Sequence, residues 1–342
     1  MTGRQDKEKA LACKKRWDSL SKPLGGMGAL EDAIVKIAGI SRTDKVSLDK
    51  KLLVVMCADN GVVKENVSQS GPEVTKAVCD NFSKGLTSAC IMCRYASADV
   101  WPVDIGVLED TAIENKKIAR GTEDIAKGPA MSRQQAEDAI LIGIEKAALA
   151  KKEGYNIIAA GEMGIANTAT AAAAASVLLD KDPAEMAGRG AGLDDKRLEN
   201  KIRVIKKAIR VNRPDKNDPV DVLCKVGGFD LCGMCGLFIG GAIYRIPVVI
   251  DGLISSVAAL CAVRMDENIR DFILPSHLSK EPAAGAVLSS IGLEPMLDLE
   301  MHLGEGTGAV SLFPLLDMAL EVYYKMPSFD ETGIERYKEF KN

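Results

Sequence analysis

KLLVVMCADNG, residues 51–61, is a short apolar run, seven residues behind Lys51, stopped by an Asp-Asn-Gly turn. It has no polar alternation, so neither face can meet water, which is the signature of a strand buried within a parallel sheet. The pattern recurs. Val100 to Ile105 closes on Asp104-Ile105-Gly106, Asn156 to Ala160 on Gly161-Glu162, and Ile246 to Ile250 on Asp251-Gly252. Between these runs lie alanine-rich or amphipathic stretches of helical spacing: Glu73 to Ala96, Ser132 to Lys152, Thr168 to Leu179, Asp194 to Val211 and Ser255 to Val263. Strand-helix alternation predicts an α/β fold with a parallel sheet and flanking helices. Ligands bind such sheets beyond the carboxyl ends of the strands. Asp59, Asp104, Glu162 and Asp251 are therefore expected to gather there.

The chain ends read differently. Met1 to Ile40 has helical character, interrupted at 21–28 by a proline and clustered glycines, and the last 30 or so residues are helical too. Residues 1–45 and 313–342 are expected to form a small helical domain, with 46–312 as a large α/β catalytic domain.

Composition narrows the function. Of 342 residues, 47% are hydrophobic, enough for a substantial core, while only 4% are aromatic, too few for a base-stacking platform. Net charge is −4, so neither nucleic acid nor an anionic membrane is an expected partner. Met1 to Lys15 is polar and no apolar run reaches membrane-spanning length, so a soluble cytoplasmic protein is expected. The nine cysteines fit buried free thiols in a reducing compartment. Two C-x-x-C pairs, Cys90/Cys93 and Cys232/Cys235, read as neighbours on helix faces, because no histidine lies nearby and a closed zinc site needs four converging ligands. No metal is expected.

Four stretches carry chemistry. In HLGEGTG, residues 302–308, three glycines permit a sharp bend around Glu305, and a turn entering a helix offers N–H groups to an anion. GEMGIANT, 161–168, leaves a strand and opens a helix, with Asn167 or Thr168 as the expected N-cap. KVGGFD, 225–230, opens a glycine-rich helix whose small residues suit close packing. SHLS, 276–279, offers hydroxyls and an imidazole to a phosphate. There is no Walker motif, no dinucleotide fingerprint and no nucleophile elbow.

Taken in order, the blocks at 22–31, 58–68 (ADNGVVKENVS), 128–133, 161–168, 225–234, 247–256 (PVVIDGLISS), 274–279 and 303–309 (LGEGTGA) resemble the nicotinate-nucleotide:5,6-dimethylbenzimidazole phosphoribosyltransferase family of cobamide biosynthesis. The resemblance implies a Rossmann-like α/β domain plus a small helical domain from both ends, acting as a homodimer or as a heterodimer with a paralogous subunit. It implies transfer of 5-phosphoribosyl from nicotinate mononucleotide to a lower-ligand base, without cofactor. Glu305 is then the base, supported by Glu162 and Lys201. Nucleotide and phosphate would meet Gly164, Asn167, Thr168, Gly190, Gly192, Lys225, Asp251, Gly252, Ser279, Gly304, Gly306, Thr307 and Gly308. The acceptor would meet Ser70, Val78 and Leu303.

The chain departs from the family pattern at Asn60, where relatives carry histidine, at Val78, where many carry glutamine, and at His302, where arginine is frequent. Val78 makes the pocket more apolar and suggests a phenolic acceptor as an alternative to benzimidazole. A non-catalytic nucleotide-binding subunit supporting an active paralogue is the rival from another class. A pyrophosphate-dependent, magnesium-requiring phosphoribosyltransferase would need an acidic phosphate loop that the sequence lacks.

Overall fold

The computed structural model describes residues 3–337. The parts of the expected helical ends at 1–2 and 338–342 lie outside the described residues. Six strands, β1 (Lys51–Ala58), β2 (Ala98–Gly106), β3 (Glu114–Asn115), β4 (Ile157–Met163), β5 (Val248–Ile250) and β6 (Ile273–Pro275), form one sheet in the order β3-β2-β1-β4-β5-β6. Every pairing is parallel. The chain reverses direction across the sheet between β1 and β4, which is the switch point of a Rossmann-like fold.

All eight residues of β1 are buried, the last seven as their apolar run requires and Lys51 with its Nζ on Asp317 and the Leu48 carbonyl. Alternate side chains serve opposite layers. Leu52, Val54 and Met56 join the helices Arg133–Lys152, Asn167–Leu179, Phe229–Tyr244 and Leu253–Met265 on one face. Leu53, Val55 and Cys57 meet Trp17, Ile34, Ile37, Phe313 and Leu316 on the other. That second layer contains the helices Lys7–Ser19, Ala29–Ser41 and Thr307–Lys325. The two chain ends meet there: the Trp17 and Tyr323 rings lie 5.2 Å apart, and Arg16 Nε donates to the Tyr323 carbonyl at 3.0 Å. Their apolar side chains share one cluster with the sheet face.

Several boundaries differ from expectation. Glu73 to Ala96 is two helices, Glu73–Ser83 and Ser88–Tyr95. Gly85 between them has φ +69°, which ends the first, and the Thr87 hydroxyl caps the second. Lys225 does not open the glycine-rich helix; it ends the preceding helix Pro219–Val226. The small residues of Phe229–Tyr244 do allow close approach. A Cβ on Gly236 would stand 1.9 Å from the Ile140 carbonyl oxygen, so the helix backbones touch. β3 went unpredicted because Glu114 and Asn115 are both exposed and carry no apolar signal.

Candidate active site

A cavity of about 290 Å³ opens at the carboxyl ends of β4, β5 and β6. Its walls come from four segments: residues 162–168 at the end of β4 and beyond it, 251–255 after β5, 277–281 after β6, and the glycine loop 301–307, with Gly190 and Val78 closing the sides.

The glycine loop is wound in an unusual way. Gly304, Glu305 and Gly306 have φ of +87°, +60° and +86°. Glu305 is the one residue of the three with a Cβ, and a non-glycine residue in this region costs on the order of 1 kcal/mol. A Cβ on Gly304 would stand 2.4 Å from Glu162 Oε1, and one on Gly306 would stand 2.3 Å from Leu53 Cδ1. The glycines thus let the backbone rest directly on the sheet end, and the Glu305 side chain lines the cavity. Its Oε2 accepts from the Ala89 N–H at 3.4 Å, at the start of the helix Ser88–Tyr95. Burial raises the Glu305 pKa, and the Ala89 N–H partly opposes the rise.

The loop is held from below by Asp251. Its carboxylate accepts from the N–H groups of Gly306 (3.2 Å), Gly308 (2.7 Å) and Ala309 (3.2 Å). The expectation that this turn offers free N–H groups to an anion is therefore corrected: the chain's own carboxylate takes them. Burial pushes the Asp251 pKa up to about 6 despite these donors.

β4 continues through Met163, so Glu162 belongs to the strand end itself and is almost fully buried. It accepts from the Glu305 N–H at 3.4 Å and from the Asn167 side-chain amide. Burial, then the neighbouring Asp230 charge, pushes its pKa up to about 8. Neither Asn167 nor Thr168 caps the helix; the N-cap is Ala166, with φ +72° and no side-chain acceptor. Asn167 is instead turned toward carboxylates, donating also to Asp230 Oδ2 at 2.9 Å.

Lys201 is fully buried behind the wall. Its Nζ donates to Thr168 Oγ1 at 2.8 Å and to the Gly188 carbonyl at 2.9 Å, and burial lowers its pKa to about 8. Gly164, Thr168, Gly190, Gly252, Ser279 and Thr307 line the cavity. Ser276 turns away, donating to the Ile250 carbonyl at 2.6 Å, and the His277 ring packs where a Cβ on Gly308 would fall. Val78 and Leu303 form an apolar wall with Val74 and Ile165.

Several expected residues are not brought to the cavity: Lys201, Gly306 and Gly308 do not line it, and four further cases stand apart. Lys225 pairs with Asp221 at 2.9 Å and stands away from the cavity. Gly192 does not line the cavity; its carbonyl accepts from Gln69. Ser70 lines an adjoining cavity together with Asp59 and Asn60. The four strand-end acids do not gather either. Asp104 is bound to Lys117 Nζ and Thr111 Oγ1, each at 2.9 Å, and Asp59 accepts from the Leu108 N–H at 2.9 Å. The segment after β2 folds back over those two strand ends, bringing a cation to Asp104 and a backbone donor to Asp59.

Sequence reasoning missed Asp230, Glu281 and the Ala89 N–H. Glu281 lines the cavity and its Oε1 accepts from the Gly190 N–H at 2.8 Å. None of these residues carries a local signal, since each partner lies 63 or more residues away in the chain. All nine cysteines are buried and free, and among the described residues no group of three or more His, Cys, Asp or Glu is arranged to hold a metal. Among the described residues no helix is long and apolar enough to cross a membrane.

A Rossmann-like sheet with a glycine-looped carboxylate over its strand ends defines a group-transfer site for a small molecule. Residues 3–334 match the phosphoribosyltransferase family, and the chain belongs to it. It is 48% identical over 335 residues to a nicotinate-nucleotide–dimethylbenzimidazole phosphoribosyltransferase of Acetivibrio thermocellus, covering 97% of this chain and 95% of that one. It is likewise 48% identical over 330 residues to the enzyme of that name from Clostridium acetobutylicum, covering 96% and 94%. The crystal structure of CobT from Thermus thermophilus superposes with a TM-score of 0.90 at 36% identity, covering 96% of this chain and all of that one. The chain is thus a pentosyl-transferring enzyme by family. The relatives reported are named for dimethylbenzimidazole; the phenolic acceptor suggested by Val78 and the non-catalytic alternative find no support in them.

Proposed function

We propose that this enzyme moves the 5-phosphoribosyl group of nicotinate mononucleotide to a ring nitrogen of an aromatic base of the dimethylbenzimidazole type. The bond between the nicotinate nitrogen and C1 of the ribose breaks, and its electron pair leaves with nicotinate. A bond from C1 to the base nitrogen forms on the opposite face, so β becomes α. The base's N–H proton passes to the Glu305 carboxylate, which restores neutrality to the new ring.

The observation that carries this reading is the position of Glu305: a half-buried carboxylate turned into a cavity, beside the apolar wall of Val74, Val78, Ile165 and Leu303. A flat hydrophobic base on that wall would bring its N–H toward the carboxylate. Partial burial raises the Glu305 pKa, which makes it a stronger base than a carboxylate in water. At the other end Thr168, Gly190, Gly252 and Ser279 provide hydroxyls and backbone for the phosphate, with Lys201 behind them. Two substrates held in one small cavity make the step effectively intramolecular.

Residues 46–312 serve as the catalytic unit and the terminal helices as its cover. The chain works as a dimer, with itself or with a paralogous subunit, and in the cytoplasm, where nine free buried thiols remain reduced. The test is incubation of the purified chain with nicotinate mononucleotide and dimethylbenzimidazole, with mass detection of the α-ribosyl phosphate. Formation of that product with release of nicotinate is expected; no product from any azole offered would refute the reading.

A further inference from the structure

Asn167 places one amide between two buried carboxylates. Its Nδ2 donates to Glu162 Oε2 and, at 2.9 Å, to Asp230 Oδ2. Asp230 is fully buried near the N-terminus of the helix Phe229–Tyr244 and is absent from the cavity lining, so it does not reach substrate. Its other oxygen accepts from the Leu231 N–H at 2.9 Å. No salt bridge neutralises either acid among the described residues.

We propose that Asp230 is a positioning residue for the transfer reaction, holding Glu162 through the shared Asn167 amide and setting how much charge Glu162 can carry. The proposal rests on the reading of the cavity given above. Two carboxylates sharing one amide in a dry space resist being ionised together, because each charge repels the other and the remaining donors, the Leu231 and Glu305 N–H groups and Asn60, carry no full charge. Burial displaces each acid upward, Asp230 to about 6 and Glu162 to about 8, and the Asp230 charge adds to the rise at Glu162.

The groups packed around Glu162 bear this out from every side. Asp251 faces it from the end of β5 and adds a further negative charge. Cys57 of β1 lies near, and Asn60 approaches Asp230 from the end of the same strand. The glycine loop contributes only the Glu305 N–H. The buried cation Lys201, on the helix Asp195–Asn212, is bound to Thr168 and Gly188 instead. Burial and these charges favour the protonated form of Glu162, whose carboxyl accepts from the Glu305 N–H of the glycine loop.

The experiment is carboxyl titration of the full chain labelled with ¹³C-glutamate, the Glu162 resonance being assigned by its loss in Glu162→Gln. In the wild type its midpoint is expected well above the ordinary glutamate range. Asp230→Asn, which keeps shape and the Leu231 contact, should bring it down by about one pH unit. Asn167→Ala, which removes the donor and leaves both acids, should move it up. Asp230→Asn should lower kcat roughly tenfold with the nicotinate mononucleotide KM within about twofold, and Asp230→Glu should recover part of the rate. A wild-type midpoint in the ordinary range, or one unmoved by Asp230→Asn, would overturn the proposal. If Asp230→Asn does not fold, the wild-type and Asn167→Ala titrations still decide it. Wild-type product formation is read separately, so failure of the transferase reading is distinguishable from failure of this one.

Discussion

Asp251 Oδ1 accepts from the Gly308 N–H at 2.7 Å, so the residue after β5 dictates where the loop carrying Glu305 can lie. The same carboxylate binds Gly306 and Ala309, at the positive end of the helix Thr307–Lys325. Asp251→Asn would turn an amide toward donors and lose the charge. We expect a loss of about 1–3 kcal/mol, read as a lower denaturation midpoint, together with reduced kcat as the loop loosens.

Glu305→Gln keeps an oxygen that can accept from Ala89, and it leaves the loop glycines unchanged. Thermal stability should therefore hold within about 1 kcal/mol while kcat falls by about 10²–10⁴-fold, the range for loss of a general base. Steady-state rates with dimethylbenzimidazole check this. A rate near wild type would remove Glu305 from the proton transfer.

Gly308→Ala should be costly for a different reason. Its Cβ would stand 1.9 Å from His277 Nδ1 and 2.9 Å from Asp251 Oδ1, both buried. Overpacking of that kind costs roughly 1–3 kcal/mol or more, so the melting temperature should drop by several degrees and activity should follow. Calorimetry on the variant measures it.

Lys201→Met removes a buried ammonium while keeping the length of the side chain. Thr168 Oγ1 and the Gly188 carbonyl lose a shared donor. The KM for nicotinate mononucleotide should rise about tenfold or more, a loss of about 1.4 kcal/mol of binding, with the acceptor KM little changed.

Stability should also depend on pH with a defined sign. Glu162 is raised to about 8 from 4.5, and Asp230 and Asp251 to about 6 from 3.8. Between the unfolded and folded values the folded chain holds protons that the unfolded chain has lost. Stability from these groups is thus complete below about pH 4 and declines as pH rises through 6 to 8. Urea midpoints should fall from pH 5 to pH 8, and Glu162→Gln should flatten the upper part of that slope.

Much of this could be read before folding. The unbroken apolar run at 52–58 has no residue that favours water, so a buried parallel strand was its one outlet, and the recurrence of that pattern set the fold class. The glycine-carboxylate-glycine order at 304–306 likewise marks a turn that only a near-absence of Cβ atoms permits. The break at 84–87 inside an apparently continuous helix was harder, because the signal sits in one glycine's φ.

What the linear chain could not convey was which acids face the cavity. Asp59, Asp104, Glu162 and Asp251 all end apolar runs and look alike in one dimension. Tertiary structure separates them: Lys117 pairs with Asp104 and the Leu108 N–H engages Asp59, while Glu162 and Asp251 support the glycine loop. The link from Asp230 through Asn167 to Glu162 crosses 63 residues of chain between its first two members, and no local pattern encodes it. Strand identity follows from the short-range cost of exposing apolar side chains to water. The charge of a buried carboxylate follows from distant groups brought within a few ångströms, and only the packed sheet brings them there.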